Sequence, residues 1–230
     1  MKWQYKFLIP SLAALLFIVA FPTIFLFYVS FHQWMLFKPE TPFTGFGNFL
    51  YMITSSEFIQ SVRVSITYVL SVTTLSFVLG LGLALILTEE LRGRNLIRTL
   101  IALPIVIPPV VSGFAWKFLL HRDVGIIGGY LLPLMGFEKS ILGDPTLAMV
   151  SIILADIWSR TPLMFLILLG GLQAIPIHLY EAAKLDGASY WQFFKNVTLS
   201  LLKPAILIAL IIRFIDAFNM FDIIYVMTRG

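Results

Sequence analysis

Long stretches without a charged side chain are the feature that most restricts how this chain folds. Residues 7–31 form the first stretch, and residues 64–88 and 99–116 form two more. An α-helix needs about 20 apolar residues to cross the hydrocarbon core of a membrane. Helices also satisfy their own main-chain hydrogen bonds where no water is available. The sequence therefore predicts an integral membrane protein built from transmembrane helices.

Two further apolar segments, residues 146–174 and 204–227, contain charged side chains and raise the number of predicted spans to five. Hydrophobic residues make up 59% of the 230 residues and charged residues only 12%, whereas soluble domains average about 25% charged residues. The predicted fold is all-α, a polytopic transmembrane helical bundle. No repeat or linker divides it, so residues 1–230 are expected to form a single transmembrane domain.

The third span contains Pro104, Pro108 and Pro109. Proline lacks the main-chain N–H that a helix interior uses, and its ring clashes with the preceding turn. This span is therefore predicted to be kinked or partly unwound.

Positive charge favours a cytoplasmic N-terminus, because cytoplasmic loops are enriched in Lys and Arg. With five spans, this orientation places residues 88–98 and 175–203 inside as well. These inward segments hold eight of the sixteen Lys and Arg residues, which are Lys2, Lys6, Arg92, Arg94, Arg98, Lys184, Lys195 and Lys203.

The segment between the last two spans, about residues 176–200, is charged and alanine-rich. Pro176 suits the first turn of a helix, and Gly187 suits the left-handed position that ends one. Ser189 and Gln192 match a capping box, which starts a second helix. The segment is therefore predicted to be a hairpin of helix, glycine turn and helix.

In the first hairpin helix, Leu179 and Leu185 are expected to anchor the hairpin to the bundle. Glu181, Ala182 and Ala183 would leave a small, charged surface that another protein can approach closely. The alternative is an amphipathic loop that lies on the lipid headgroups.

This hairpin resembles the EAA signature of the membrane subunits of binding-protein-dependent ABC importers, written E-A-A-x3-G-x9-I-x-L-P. The chain departs from it at Val197, where Ile is usual, and at Ser200, where Pro is usual. Other stretches are similar, in the same order, to the carbohydrate permeases of the maltose and glycerol-phosphate type: FPTIFLFYVSFHQWMLF, ALPIVIPPVVSGFAWKFLL, ADIWSRTPLMFLILLGGLQAIP and IRFIDAFNMFDIIYVMTRG.

The resemblance implies a subunit of an ATP-driven importer in the cell inner or plasma membrane. Its expected partners are a second permease subunit, two ATPase subunits, an extracytoplasmic solute-binding protein and a sugar-like solute. These permeases usually have six spans and continue past Gly230, so the chain is expected to be truncated. The residues expected to couple it to the ATPase are Glu181, Ala182, Ala183, Asp186 and Gly187.

No G-x-x-x-x-G-K-[ST] phosphate loop occurs in the chain. ATP and Mg²⁺ are therefore expected in the partner ATPase, and this chain is expected to bind no cofactor and to be no enzyme. There is no cysteine and no H-E-x-x-H motif, and His32, His121 and His178 lie outside the predicted spans. An intramembrane enzyme with a catalytic or metal site is therefore disfavoured.

Charged side chains within spans are costly and normally face the bundle interior or a wet cavity. Asp156 and Arg160 are four residues apart, and Arg213 and Asp216 are three apart, so each couple is close enough to pair on one helix. Both a structural role for the pairs and a polar lining for solute remain open.

The sequence FNMFDIIY in the fifth span combines aromatic faces with hydrogen-bonding groups, as a sugar site requires. The candidate residues of the solute pathway are Trp158, Arg160, Phe218, Asn219, Phe221, Asp222 and Tyr225. An ion-coupled carrier is the competing function, because Asp156, Asp216 and Asp222 lie within spans. That alternative does not explain the hairpin.

Overall fold

The computed structural model describes residues 2–35, 37–38, 40–89, 91–134, 136, 140–185 and 187–229. These form two compact units, residues 1–64 and 65–230. Regular structure in the described residues is helical, apart from an isolated bridge between His32 and Phe43. The all-α prediction is confirmed.

The first unit is built on α1 (Lys2–Ser30), whose apolar part, Phe7–Ser30, is long enough to cross a membrane. The short helix α2 (Gly47–Thr54) follows, and α3 (Ser56–Thr88) begins in this unit. The Asn48 amide donates to the carbonyl oxygens of Ser30 at 3.0 Å and His32 at 2.9 Å. This side chain therefore satisfies one carbonyl group in the last turn of α1, which has no partner within the helix, and one just beyond the helix.

The second unit contains the rest of α3 and the remaining helices. Their bounds are α4 (Arg94–Ala102), α5 (Pro109–Leu119), α6 (Leu132–Leu134), α7 (Pro145–Gln173), α8 (Ile177–Leu185), α9 (Tyr190–Phe193), α10 (Leu199–Phe218) and α11 (Asp222–Thr228). A 3₁₀ turn, Leu103–Val106, extends α4, and π-helical turns cover Ile126–Leu131 and Phe194–Thr198. Among the described residues, four helical segments are long and apolar enough to span a membrane, and a bent pair provides the fifth candidate.

The bent pair confirms the predicted kink in the third span. The segments Arg94–Val106 and Pro109–Leu119 meet at 98°. Pro108 is extended, with ψ at 141°, and Pro109 opens α5. The prolines end one helical segment and begin the next, as their missing N–H groups require.

The fifth span differs from its prediction at both ends. A continuous helical segment runs from Tyr190 to Phe218, stops there, and α11 begins only at Asp222. The predicted single helix over residues 204–227 was therefore wrong. After the break, α11 packs on α5, where a Cβ atom at Gly113 would lie 3.1 Å from the Val226 Cβ. Lys117 of α5 donates to the Val226 carbonyl at 2.8 Å, near the C-terminal end of α11.

The core of the second unit lies around α7, which is the most deeply buried of the long apolar segments. One cluster of buried side chains joins α3, α7 and α11, and a second joins α3, α7 and α10. At Gly171 of α7, a Cβ atom would lie 2.6 Å from the Ala205 Cβ of α10. This close approach is typical of small residues between membrane helices.

Candidate functional site

The hairpin between α7 and α10 has the predicted local structure. Its first helix, α8, ends at Leu185, and Gly187 adopts the left-handed conformation with φ at +69°. The N–H of Ala188 donates to the Ala183 carbonyl at 3.0 Å. A hydrogen bond that closes this six-residue turn around a left-handed glycine is the signature of a Schellman C-cap.

The second hairpin helix begins at the predicted capping box. The Gln192 N–H donates to the Ser189 hydroxyl at 3.3 Å, and the Ser189 N–H donates to Gln192 Oε1 at 2.8 Å. Because this helix continues to Phe218, the hairpin and the last long span share one helical segment. The sequence had suggested two separate elements here.

The surface of α8 that is predicted to contact the ATPase is accessible to solvent. Glu181 and Ala182 are exposed and Ala183 is half-buried, whereas Asp186 lies outside the described residues. Leu179 packs against the second core cluster, as expected. Leu185 is 88% exposed, so the prediction that it anchors the hairpin was wrong.

An aromatic pair joins the two arms of the hairpin instead. The rings of Tyr180 and Phe193 lie 4.4 Å apart between centroids, and Tyr180 also packs on the second core cluster. This contact was not predicted from the sequence, although aromatic residues on both sides of Gly187 were a signal for it.

Four charged side chains inside the predicted spans form one network between α7 and α10. Arg213 of α10 pairs with Asp156 of α7, and its Nη1 donates to Asp216 Oδ2 at 3.1 Å. The Nε of Arg160 lies 3.3 Å from the same Asp216 oxygen. The predicted Arg213–Asp216 pair is confirmed, but the Asp156–Arg160 pair is not formed. The reason is that α10 brings Arg213 against Asp156, and Arg160 pairs with Asp216.

Two further side chains of this network were missed from the sequence. The Tyr68 hydroxyl of α3 donates to Asp156 Oδ2 at 2.7 Å, and Arg213 Nε donates to the Ser76 hydroxyl at 3.4 Å. Asp156 and Arg213 have no exposed side-chain surface. A buried ion pair needs such additional hydrogen bonds because both charges have lost their water. Neither hydroxyl is distinctive in sequence among the many in α3.

The remaining candidates for the solute pathway lie in α7, at the end of α10, and in or next to α11. Trp158 of α7 is 41% exposed and meets Trp116 edge to face at 6.3 Å. Phe218 ends α10, and the Asn219 amide donates to the Ile215 carbonyl at 2.9 Å.

An aromatic pair formed by Phe221, which precedes α11, and Tyr225 of α11 presents a broad face. The rings of Phe221 and Tyr225 stack at 5.1 Å, and both side chains are more than half exposed. Asp222 lies in the first turn of α11. Exposed aromatic faces beside amide and carboxylate groups offer what a sugar ring needs, namely stacking surface and directional partners.

Interrupted apolar helices, a charge network inside the bundle and a capped hairpin define a polytopic membrane protein of the transporter class. Residues 76–230 match the binding-protein-dependent transport system inner membrane components, and the chain belongs to this family. This membership fits the importer interpretation and does not fit the ion-coupled carrier.

Relatives and solved structures agree with the family. The chain is 40% identical to the trehalose/maltose transport system permease protein MalF of Thermococcus litoralis, over 100% of this chain and 78% of that protein. It resembles a bacterial ABC transporter involved in importing the acidic polysaccharide alginate, with a TM-score of 0.81 and 25% identity over 95% of this chain and 74% of that one. The alginate transporter in complex with its alginate pentasaccharide-bound periplasmic protein gives a TM-score of 0.79 and 25% identity over 92% and 71%.

Proposed function

We propose that this chain forms half of the translocation pathway of an ATP-driven importer for a sugar or sugar-like solute. A second permease subunit would form the other half, with two ATPase subunits on the cytoplasmic side and a solute-binding protein outside. The relative named for trehalose and maltose and the alginate importer support a carbohydrate cargo. The distribution of Lys and Arg supports a cytoplasmic N-terminus and hairpin.

The observation that carries this proposal is the capped hairpin with an exposed acidic side chain. Gly187 and the Ser189–Gln192 box fix the angle between the two arms. Glu181 is exposed on the first arm, where a basic side chain of the ATPase would meet it. ATP and Mg²⁺ would bind in that ATPase.

Movement of the hairpin would be transmitted directly to a helix that lines the pathway. The second arm belongs to the helical segment that ends at Phe218, and this segment carries Arg213 and Asp216. Closure of the two ATPases around ATP would therefore shift α10 relative to α7. Such tilting would alternate access between the two sides of the membrane.

The solute would pass close to the break between α10 and α11. Irregular main chain is tolerated at membrane depth where it is covered by protein or lines a water-filled cavity. The break after Phe218 exposes aromatic faces at Phe221 and Tyr225. We assign Arg160 to the same pathway because its charged side chain lies within a predicted span and is still 20% exposed.

Charge reversal at Glu181 tests the coupling role. The Glu181→Lys variant should insert in the membrane at normal levels, because the site lies outside the spans. It should lose uptake and retain less ATPase on purification, since a like charge at a desolvated contact costs several kcal/mol. Glu40→Lys, at another exposed acid, is the matched control.

The measurements are the uptake of labelled trehalose, maltose and alginate oligosaccharides by the reconstituted complex, and the amount of ATPase that copurifies. Wild-type uptake and copurification in Glu181→Lys would reject the hairpin as the coupling element and favour the amphipathic loop. Uptake of amino acids but of no sugar would reject the carbohydrate cargo.

A further inference from the structure

Two arginine side chains of this network, Arg160 and Arg213, share one carboxylate oxygen of Asp216. Asp216 Oδ2 accepts from Arg213 Nη1 at 3.1 Å and lies 3.3 Å from Arg160 Nε. Arg213 also pairs with Asp156 and donates to Ser76. Within the described part of the chain, Asp216 is the only ion-pair partner of Arg160.

Burial divides this network into an inner and an outer half. The Arg213 and Asp156 side chains are fully buried, whereas Arg160 is 20% exposed and Asp216 is 27% exposed. Loss of the Asp216 carboxylate would leave Arg213 with its charged partner Asp156. It would leave Arg160 with none among the described residues. The inner pair therefore holds the helices together, and Asp216 is needed chiefly for Arg160.

Most hydrogen-bonding groups of Arg160 have no hydrogen-bond partner among the described residues. A guanidinium carries five N–H donors in a planar fork. The Arg160 Nε faces Asp216 but makes no aligned hydrogen bond, and no hydrogen bond found among the described residues uses its Nη groups. Such a fork suits two neighbouring oxygen acceptors, as on carboxylates and on adjacent hydroxyls of a sugar.

The charge of the site distinguishes these two acceptors. Arg160 and Arg213 are balanced by Asp156 and Asp216, so the network is neutral as a whole. A carboxylate-bearing solute would bring an uncompensated negative charge beside Asp216. Uncharged hydroxyls would not, and they would still accept from the Nη groups.

We propose that Asp216 is a positioning residue that neutralises Arg160 and holds its Nη edge toward the hydroxyl groups of an uncharged sugar. This inference rests on the proposed function, which assigns Arg160 to the solute pathway. Asp216 acts through Arg160 and need not touch the solute. Its removal would leave a site with one excess positive charge, which favours acidic solutes over neutral ones.

A double-mutant cycle on the full reconstituted complex tests this role. The variants are Asp216→Asn, Arg160→Gln and their combination, and the probes are trehalose and an alginate oligosaccharide. Each single variant should raise the KM for trehalose uptake about tenfold, the scale of a lost hydrogen bond to a charged group, with little change in maximal rate. The combination should be no worse than Arg160→Gln alone.

Selectivity separates positioning from a merely structural role. Asp216→Asn should shift uptake from trehalose toward the alginate oligosaccharide, Asp216→Glu should restore part of the trehalose preference, and Asp123→Asn, outside the network, should change neither. Additive losses in the double variant, with unchanged selectivity and a lower yield of complex, would overturn the proposal. Preference of the wild type for the alginate oligosaccharide would overturn it as well.

The same variants distinguish failure of this inference from failure of the proposed function. If Arg160→Gln leaves trehalose uptake unchanged, Arg160 does not belong to the solute pathway and the underlying assignment fails. If Arg160→Gln impairs uptake but Asp216→Asn behaves as wild type in both backgrounds, only the positioning role fails.

Discussion

Substitution of Gly187 tests whether the turn between the hairpin arms controls coupling. Gly187 has φ at +69°, and a Cβ atom built there meets nothing within 4 Å. A Cβ atom therefore meets no other residue and adds no steric cost of its own. What remains is the cost of the left-handed conformation itself, about 1–2 kcal/mol for an ordinary L-residue.

Three side chains at this position should give a graded series. Asn tolerates the left-handed region and should stay close to wild type. Ala should lose less than the full cost, because replacing glycine also stiffens the unfolded chain by roughly 0.4–1 kcal/mol. Val is β-branched and should lose most. If docking requires this turn, each cost of about 1.4 kcal/mol at the turn lowers the affinity for the ATPase tenfold.

The assay compares Gly187→Asn, Gly187→Ala and Gly187→Val in one membrane preparation. Sugar uptake and copurified ATPase should fall in that order, while the amount of inserted chain stays constant. Equal coupling by the Val and Asn variants would refute the reasoning, because the two differ mainly in the cost of the left-handed turn. A loss of inserted chain in the Val variant alone would show that the turn serves folding instead.

Two other substitutions probe the bundle itself. Arg213→Leu leaves Asp156 buried without its charged partner and should lower the stability of the bundle by about 3–5 kcal/mol, whereas the double variant with Asp156→Leu should have a melting temperature in detergent closer to that of the wild type. An Arg213→Leu variant as stable as the wild type would contradict this. Gly113→Val should lower the melting temperature, because overpacking against Val226 costs about 1–3 kcal/mol, and Val226→Ala should partly restore it. If Val226→Ala restores nothing, the two side chains do not compete for the same space.

The sequence alone determined the features that depend on neighbouring residues. The left-handed turn at Gly187, the capping box at Ser189 and the interruption at Pro108 and Pro109 all follow from the local chemistry of the main chain. Apolar stretches long enough to cross a membrane likewise predicted the long helices. Each of these signals lies within a few turns of the chain, so no knowledge of packing was needed.

Tertiary structure decided the partners of Asp156 and the end of the last long helix. Arg213 lies 57 residues after Asp156, and only the packing of α10 against α7 brings them together. The turn after Phe218 places α11 against Gly113 of α5, a contact between residues more than 100 positions apart. Helical spacing permitted an Asp156–Arg160 pair, but it carries no information about a better placed charge on another helix. Exposed Leu185 and the Tyr180–Phe193 contact have the same origin, since burial is a property of the assembled bundle and not of a single helix.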